Sequence, residues 1–208
     1  MSTSRSPFDR DNSELVRVNL DLGGGTMKVA GGTDKLAAAD FSYGSAASKP
    51  EVHYSSSGGN GSLTIKQSGT TSSTLTHTTK EWDVRLNQQV PMELRISLGG
   101  GDAHLNLGSL TLRDLEVQEG AGELDLDLRG APKTSYQVRV QGGAGEATLH
   151  LPSSVGVDAQ VSGGIGEVNA TGLHKDGSRY VNDALGKSNV TIHVDFQGGV
   201  GKINLISE

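Results

Sequence analysis

Acidic residues recur at one position of a repeated glycine unit. Asp102, Glu123, Glu146 and Glu167 each directly follow the last glycine of a short glycine-rich run, at intervals of 21, 23 and 21 residues. If these units stack as strands about 4.8 Å apart, the four carboxylates form one column. Like charges at that spacing repel by about 1 kcal/mol per pair in water. A cation would relieve this repulsion, and calcium is the metal hypothesis because it prefers carboxylate and carbonyl oxygens.

A solvated acidic stripe that keeps the protein soluble is the alternative explanation of this column. Lys202 occupies the corresponding position of the last unit, where it would cap one end of the column. We therefore treat the four carboxylates as calcium candidates and assign no other metal ligands.

Residue patterns for catalysis or cofactor binding are missing from the sequence. There is no GxSxG motif and no complete phosphate-binding glycine motif. Cysteine is absent, which excludes thiol catalysis and cysteine-ligated metal sites. We expect no catalytic residue and no cofactor, and a net charge of −6 argues against nucleic-acid binding. The histidines lack metal-binding spacing and are expected to be solvated: His53, His77, His104, His150, His174 and His193.

The glycine units must be positioned by strands. Apolar residues stand seven and five positions before the last glycine and two and four positions after it, with polar residues between them, and only Ser56 breaks these columns. This alternation on both sides of a glycine predicts a strand–bend–strand unit of about 21 residues. Glycine suits the bend because it reaches positive φ at little cost. The predicted bend glycines are Gly25, Gly61, Gly101, Gly122, Gly145, Gly166 and Gly201.

Two all-β architectures fit such units. In a solenoid the units stack in parallel, whereas in an antiparallel meander each glycine bend is a hairpin. We favour the solenoid because the same in-and-out phase recurs in every unit, which stacking requires. Residues 1–14 are predicted to be a mobile tail, and residues 15–208 a single domain. Within that domain we predict a Ser/Thr-rich loop at 67–80 and an insertion at 174–188. We expect either Lys80–Val90 or the charged segment Lys175–Lys187 to cover a sheet edge or flank.

The units resemble the toast-rack family of bacterial proteins, which is related to cell-wall-active antibiotic response proteins and to adhesin-like proteins. The resemblance spans residues 14–206, nearly the whole chain. It implies a right-handed, single-stranded, β-helix-like solenoid in an extracytoplasmic or membrane-associated setting, and it supplies no activity. It is carried by VNLDLGGGTMKVAGG, ADFSYG, KPEVHYSSSGGNGSLTI, EWDVRLNQQVPMELRISLGGGDAHLNLGSL and YVNDALGKSNVTIHVDFQGGVGKINL.

These observations favour a non-enzymatic structural or interaction module of the bacterial envelope, either adhesin-like or part of an envelope-stress response. Its partner would be a protein or another envelope component, and a membrane protein is one possibility. The alternative is an enzyme or binding protein that acts on envelope polysaccharide through the acidic face. The sequence begins with a polar segment and shows no signal, which leaves a cytoplasmic location as the alternative. Trp82, the single tryptophan, is expected to cover an end or face of the solenoid rather than to stack on a sugar.

Overall fold

The computed structural model describes residues 2–44, 49–68 and 80–208, and this part of the chain is β throughout, with no helix. Within these residues, seventeen strands join one hydrogen-bonded sheet. The first nine are β1 Ser2–Phe8, β2 Leu15–Leu22, β3 Gly25–Gly31, β4 Ala37–Tyr43, β5 Glu51–Ser57, β6 Asn60–Lys66, β7 Glu81–Leu86, β8 Met92–Leu98 and β9 Gly101–Asn106. The others are β10 Leu112–Asp127, β11 Tyr136–Leu151, β12 Gly156–Ser162, β13 Ile165–Thr171, β14 His174–Asp176, β15 Arg179–Val181, β16 Thr191–Gln197 and β17 Val200–Ser207.

The repeated units stack in parallel. β10 pairs in parallel with β8 through its first half, with β9 through its second half and with β11 along both halves. We call each such unit, consisting of one strand before the glycine bend and one after it, a rung. Because neighbouring rungs pair in parallel, the glycine bends are not hairpins, and the meander alternative is excluded for these units. The bend glycines Gly101, Gly122 and Gly145, which are 21 and 23 residues apart in the chain, lie opposite one another on neighbouring rungs.

The bend glycines form a ladder across six rungs. The backbone registers pair Gly25 with Gly101, Gly101 with Gly122, Gly122 with Gly145, Gly145 with Gly201 and Gly201 with Gly166. At Gly122 φ is 143°, and a Cβ atom there would collide with the carbonyl oxygen of Gly101. Glycine is therefore required at this bend both by its φ angle and by the closeness of the next rung.

Gly61 does not belong to this ladder, and its prediction as a bend glycine is wrong. It lies in β6 opposite Val16, and the turn that precedes it is a β-hairpin between β5 and β6 with positive φ at Gly58 and Gly59. The sequence pattern misled because a hairpin also has apolar alternation on both sides of its glycines. The remaining rung is formed instead by β6 and β7, which pair with β2 and β3.

The spatial order of the rungs differs from their order in the chain. The β2–β3 rung lies between the β6–β7 rung and the β8–β9 rung. At the other end, the β16–β17 rung lies between β11 and the β12–β13 rung. A rung from each end of the chain is thus inserted between two other rungs.

The N-terminal segment is a strand, which corrects the predicted mobile tail for residues Ser2–Phe8. β1 pairs antiparallel with β4 over seven residues, and β4 in turn pairs antiparallel with β7. Phe8 packs against the core, and its carbonyl accepts a hydrogen bond from the amide of Leu36. The sequence failed to indicate this strand because Ser2–Phe8 consists mainly of polar residues and has too few apolar residues to set a period.

The predicted Ser/Thr-rich loop and the predicted insertion differ in how much of each the structure describes. Most of the predicted Ser/Thr-rich loop, residues 69–79, lies outside the described residues. The predicted insertion contains a short hairpin, β14–β15, and β15 pairs antiparallel with Asp158–Gln160 of the outer strand β12. The insertion therefore covers that edge, as its charged composition suggested. No helix within the described ranges is long and apolar enough to span a membrane.

One aliphatic core fills the space between the strands before and after the bends. Its rows follow the predicted alternation, and residues such as Leu126 and Leu149 are completely buried. Trp82 is also buried and meets Phe41 of the covering strand β4 edge-on, with ring centroids 5.3 Å apart. It belongs to the core and is not placed to stack on a sugar at the surface.

Candidate functional site

The acidic column exists, but its order differs from the prediction. Asp102 pairs with Glu123 and Glu123 with Glu146, so three carboxylates do lie on successive rungs. Lys202 then stands between Glu146 and Glu167, because the last unit of the chain is inserted between their rungs. Lys202 therefore interrupts the column instead of capping its end, which corrects the prediction.

Neighbouring side chains partly neutralise the column. The Lys202 ammonium lies 3.6 Å from Oε1 of Glu146, and Nδ2 of Asn204 donates a hydrogen bond of 2.8 Å to the same oxygen. Among the described residues, no three histidine, aspartate or glutamate side chains are grouped so that they could hold a metal ion. The calcium hypothesis for Asp102, Glu123, Glu146 and Glu167 thus gains no support from the geometry.

A fifth carboxylate, Glu119, lies under the column on the inner side of the bend. It continues the inward-facing row of β10 that contains Leu115 and Val117, and only 9% of its surface is exposed. In the two preceding rungs the same position is occupied by Leu22 and Leu98. A charged residue thus occupies a position that holds leucine elsewhere.

The residue type at this inner position changes again on the side of Glu119 that faces β11. Its partner on β11 is Gly142, and the next two rungs have Gly198 and Gly163 directly after the paired residues Gln197 and Ser162. These glycines leave space on the inner side of the bend that the side chains of Phe196 and Ile203 fill only in part. A cavity of about 60 Å³ occupies it, bounded by the glycine-rich bends of three rungs, by Glu119 and by apolar side chains that include Ala147, Val168, Phe196 and Ile203.

The environment of Glu119 is unusual for a carboxylate. Its Oε1 atom is buried and accepts no hydrogen bond from any described residue. Burial raises the pKa of Glu119 to about 7, and the negative charges of Asp102 and Glu123 contribute to the increase. A carboxylate in this position can accept hydrogen bonds from a ligand, or attract a positive charge, more strongly than a solvated one.

Sequence reasoning missed Glu119, although a signal was present. The apolar columns stand seven and five positions before and two and four positions after each bend glycine, whereas Glu119 stands three before Gly122. Reading that third position across the units gives Leu22, Leu98, Glu119, Gly142, Gly163 and Gly198. The change from leucine to glutamate to glycine marks both the buried charge and the space beside it.

The histidines of the described residues do not converge on one centre, and His77 lies outside those residues. His104 and His193 are exposed, as expected for solvated imidazoles, while His150 is half-buried. Nε2 of His150 lies 3.6 Å from Asp125, and Nδ1 of His193 lies 3.4 Å from the buried Asp158. These two contacts lie on different strands.

The covering hairpin adds one more charged contact. Asp158 also forms an ion pair of 3.0 Å with Arg179 of β15, so the hairpin contributes a charge as well as backbone hydrogen bonds. This contact links the cover to the strand that it protects.

Comparison with known proteins identifies a family model and a relative that aligns along the entire chain. Residues 1–150 match the family model described as "N-terminal domain of toast_rack, DUF2154". A solved structure from Clostridium sporogenes, described as that of "a putative cell adhesion protein", is 35% identical and has a TM-score of 0.96. The alignment covers 100% of this chain and 99% of the Clostridium chain.

A second solved structure is much less similar. It is that of "a putative adhesin" from Bacteroides fragilis, which is 11% identical over 99% of this chain and 97% of the other, with a TM-score of 0.32. That value is too low to support an argument about this chain. No curated protein matches. The family match over residues 1–150 and the full-length Clostridium relative show that this chain belongs to the toast-rack family.

Proposed function

We propose that this protein is a non-enzymatic, adhesin-like interaction module of the bacterial envelope. The observation that carries the proposal is the likeness along the entire chain to the Clostridium protein described as a putative cell adhesion protein. The proposal includes an extracytoplasmic or membrane-associated location and the right-handed, single-stranded solenoid that the family resemblance implies. Its partner is a protein or another component of the envelope.

The regular outer surface supports a binding role. Stacked rungs present side chains at a constant spacing, and extended surfaces of this kind commonly act as binding faces. On this chain the most distinctive part of that surface is the run of carboxylates at Asp102, Glu123 and Glu146. A partner that is cationic, or that carries a basic patch, would be favoured by this run.

Binding to envelope fractions tests the proposal. The protein is immobilised and exposed to solubilised membrane proteins and to purified cell-wall fragments, and retained material is measured against salt concentration. We expect saturable retention that weakens several-fold in the variant Asp102→Asn/Glu123→Gln/Glu146→Gln. The matched control, Asp34→Asn/Glu51→Gln/Asp176→Asn, removes three exposed carboxylates outside the column and changes the net charge equally. Equal binding by both variants would remove the column from the proposal.

The non-enzymatic part needs its own measurement. Purified protein is incubated with envelope polysaccharides, and the release of reducing ends is followed over time. We expect no turnover above a heat-denatured control. Turnover that a single carboxylate substitution abolishes would refute the non-enzymatic proposal and favour the polysaccharide-acting alternative.

A further inference from the structure

The cavity beneath the bends is lined by one buried carboxylate and by apolar residues, two of which are exposed at the surface. Glu119 is its only lining residue from β10, and all the others belong to the next three rungs, so the carboxylate marks the inner end. At the outer part, Val200 and Ile165 line the cavity although their side chains are 60% and 80% exposed. They are the two large apolar residues most exposed to solvent in the described chain, and they form an apolar mouth.

Glu119 is not required by the packing around it. The rungs on the other side of it use leucine at this position, and Gly142 leaves space on the cavity side. A buried carboxylate without a partner destabilises a protein, because it has lost its hydration and gained no hydrogen bond in return. Such a group at the end of an accessible cavity is therefore poised to receive a partner from outside.

The charges around the cavity indicate the sign of the charge that such a partner carries. Asp102 and Glu123 add negative potential at Glu119, while Glu146, Glu167 and Lys202 line the cavity itself. Four of these five groups are acidic, so an anion is disfavoured and a cation attracted. A divalent metal ion is not favoured, since the described residues offer no group of three suitable ligands.

The residues that form the walls of the cavity indicate the polarity of the rest of the ligand. Phe196, Ile203 and Val168 present apolar surface between the carboxylate and the mouth. A ligand that fits must combine a small cationic hydrogen-bond donor with a short apolar stem. We propose that this cavity binds a primary alkylammonium group, with the ammonium against Glu119 and the alkyl stem along the apolar walls.

Two sources can supply this chemistry, a free small amine or the end of a lysine side chain on a partner protein. The proposal goes beyond the envelope role and does not depend on it. A failure to bind envelope fractions would leave it intact, and a failure to bind amines would leave the envelope role intact.

Titration with butylammonium followed by NMR tests the proposal on the full chain. We expect saturable shifts of the backbone amides of Gly142–Gly145 and Gly198–Gly201, and at least tenfold weaker binding of the neutral isostere n-butanol. Glu119→Gln should weaken butylammonium binding at least tenfold. The matched control Glu51→Gln removes one exposed carboxylate that does not line the cavity and should change the affinity by no more than about threefold.

A second variant separates binding from folding. Glu119→Leu places at this position the residue found in the two preceding rungs, so the protein should fold and the bound ammonium should lose its partner. Retained butylammonium binding in Glu119→Leu or Glu119→Gln would overturn the proposal. So would the absence of shifts in the wild type at 50 mM butylammonium, a concentration on the order of that needed to detect millimolar affinity.

The pH dependence provides an independent readout. Because the pKa of Glu119 is raised to about 7, the carboxylate is mostly protonated at pH 6 and mostly ionised at pH 8. Butylammonium keeps its charge over this range, so its affinity should increase about tenfold from pH 6 to pH 8. An affinity independent of pH would contradict an ion pair with Glu119.

The source of the amine is decided by a second probe. Lysine with both its α-amino and α-carboxyl groups blocked carries the same ammonium on a four-carbon stem. If it shifts the same glycine amides with affinity similar to that of butylammonium, a partner's lysine can enter the cavity. If only butylammonium binds, the cavity is a site for a free amine.

Discussion

At the scale of single residues, the bend glycines are constrained in two ways that one experiment can separate. Gly122 combines a φ of 143° with a carbonyl oxygen of Gly101 in the space that a Cβ would occupy. Gly32 has a φ of 118° and no atom within 4 Å of that position. The difference between alanine substitutions at these two glycines isolates the effect of stacking.

We predict that Gly122→Ala lowers the free energy of unfolding by more than about 3 kcal/mol, since backbone strain and a backbone collision add. Gly32→Ala should cost about 1–2 kcal/mol, the effect of strain alone. Urea denaturation followed by circular dichroism measures both values. Equal losses would show that the ladder does not require close approach of neighbouring rungs.

The raised pKa of Glu119 leads to a second prediction at the residue scale. Its pKa in the folded protein is about 7, above the ordinary value of 4.5, so the folded state holds this proton more tightly than the unfolded state. Stability from this proton is therefore present below pH 4.5 and is lost as the pH rises to about 7. The loss in the wild type should be on the order of 3 kcal/mol, at 1.36 kcal/mol per pKa unit.

The isosteric variant Glu119→Gln lacks this titration. Its stability relative to the wild type should consequently increase between pH 4.5 and pH 7.5, as measured by urea denaturation at closely spaced pH values. Glu123→Gln serves as the control for removing a nearby charge. A difference between wild type and Glu119→Gln that does not change with pH would contradict the raised pKa.

Site prediction from sequence succeeded for the column and failed for its surroundings. The carboxylates Asp102, Glu123 and Glu146 follow directly from their place after the glycine, because a fixed repeat fixes their rung positions. Lys202 could not be placed, since only long-range pairing decides that the last rung lies between two earlier ones. Glu119 was within reach of the same column reading, had it been extended to the third position before the bend.

At the scale of elements, the β14–β15 hairpin is a cover for one strand. β15 satisfies the backbone groups of β12 at Asp158–Gln160, and Arg179 pairs with Asp158. An uncovered edge strand invites pairing with another molecule. The hairpin can therefore be tested by removing it.

We predict that deletion of residues 175–187, replaced by a short glycine–serine linker, promotes self-association. The expected result is a concentration-dependent increase in mass by light scattering, with little change in the β signal of circular dichroism. Arg179→Ala is the control that removes the ion pair and keeps the hairpin. A deletion variant that stays as monodisperse as the wild type would show that this edge does not need its cover.

Element prediction from sequence depended on apolar alternation. Where it was strong, as in β10 and β11, the strands and their registers were predicted correctly. β1 was missed because Ser2–Phe8 has too few apolar residues to set a period, and its strand is fixed by pairing with β4. The hairpin at Gly58–Gly59 was misread as a bend because both structures place alternating residues around glycine.

At the scale of the whole molecule, the insertion of the last rung couples distant parts of the chain. β16 and β17 are the described strands that connect β11 to β12 and β13. Without them, the β12–β13 rung and its covering hairpin have no strand to stack on. Residues near position 160 should therefore depend on residues near position 200 for their stability.

Truncation tests this coupling. We predict that a chain ending at residue 189 loses hydrogen-exchange protection throughout Gly156–Val181, while the strands from Leu15 to Asp127 remain protected. Mass spectrometry of peptic fragments measures both regions in one experiment. Protection of Gly156–Val181 comparable to that of the full chain would mean that this rung stacks without the last one.

The same insertion determines how the molecule would respond to tension. β17 has hydrogen-bonded neighbours on both sides and extends from Val200 to Ser207. Force applied at Ser207 along this strand loads both of its ladders in shear, so many hydrogen bonds must yield together instead of opening one by one. Pulling at right angles to the strand would open the same bonds in succession, at lower force. A tether attached at Ser207 would therefore hold best when the load runs along the strands.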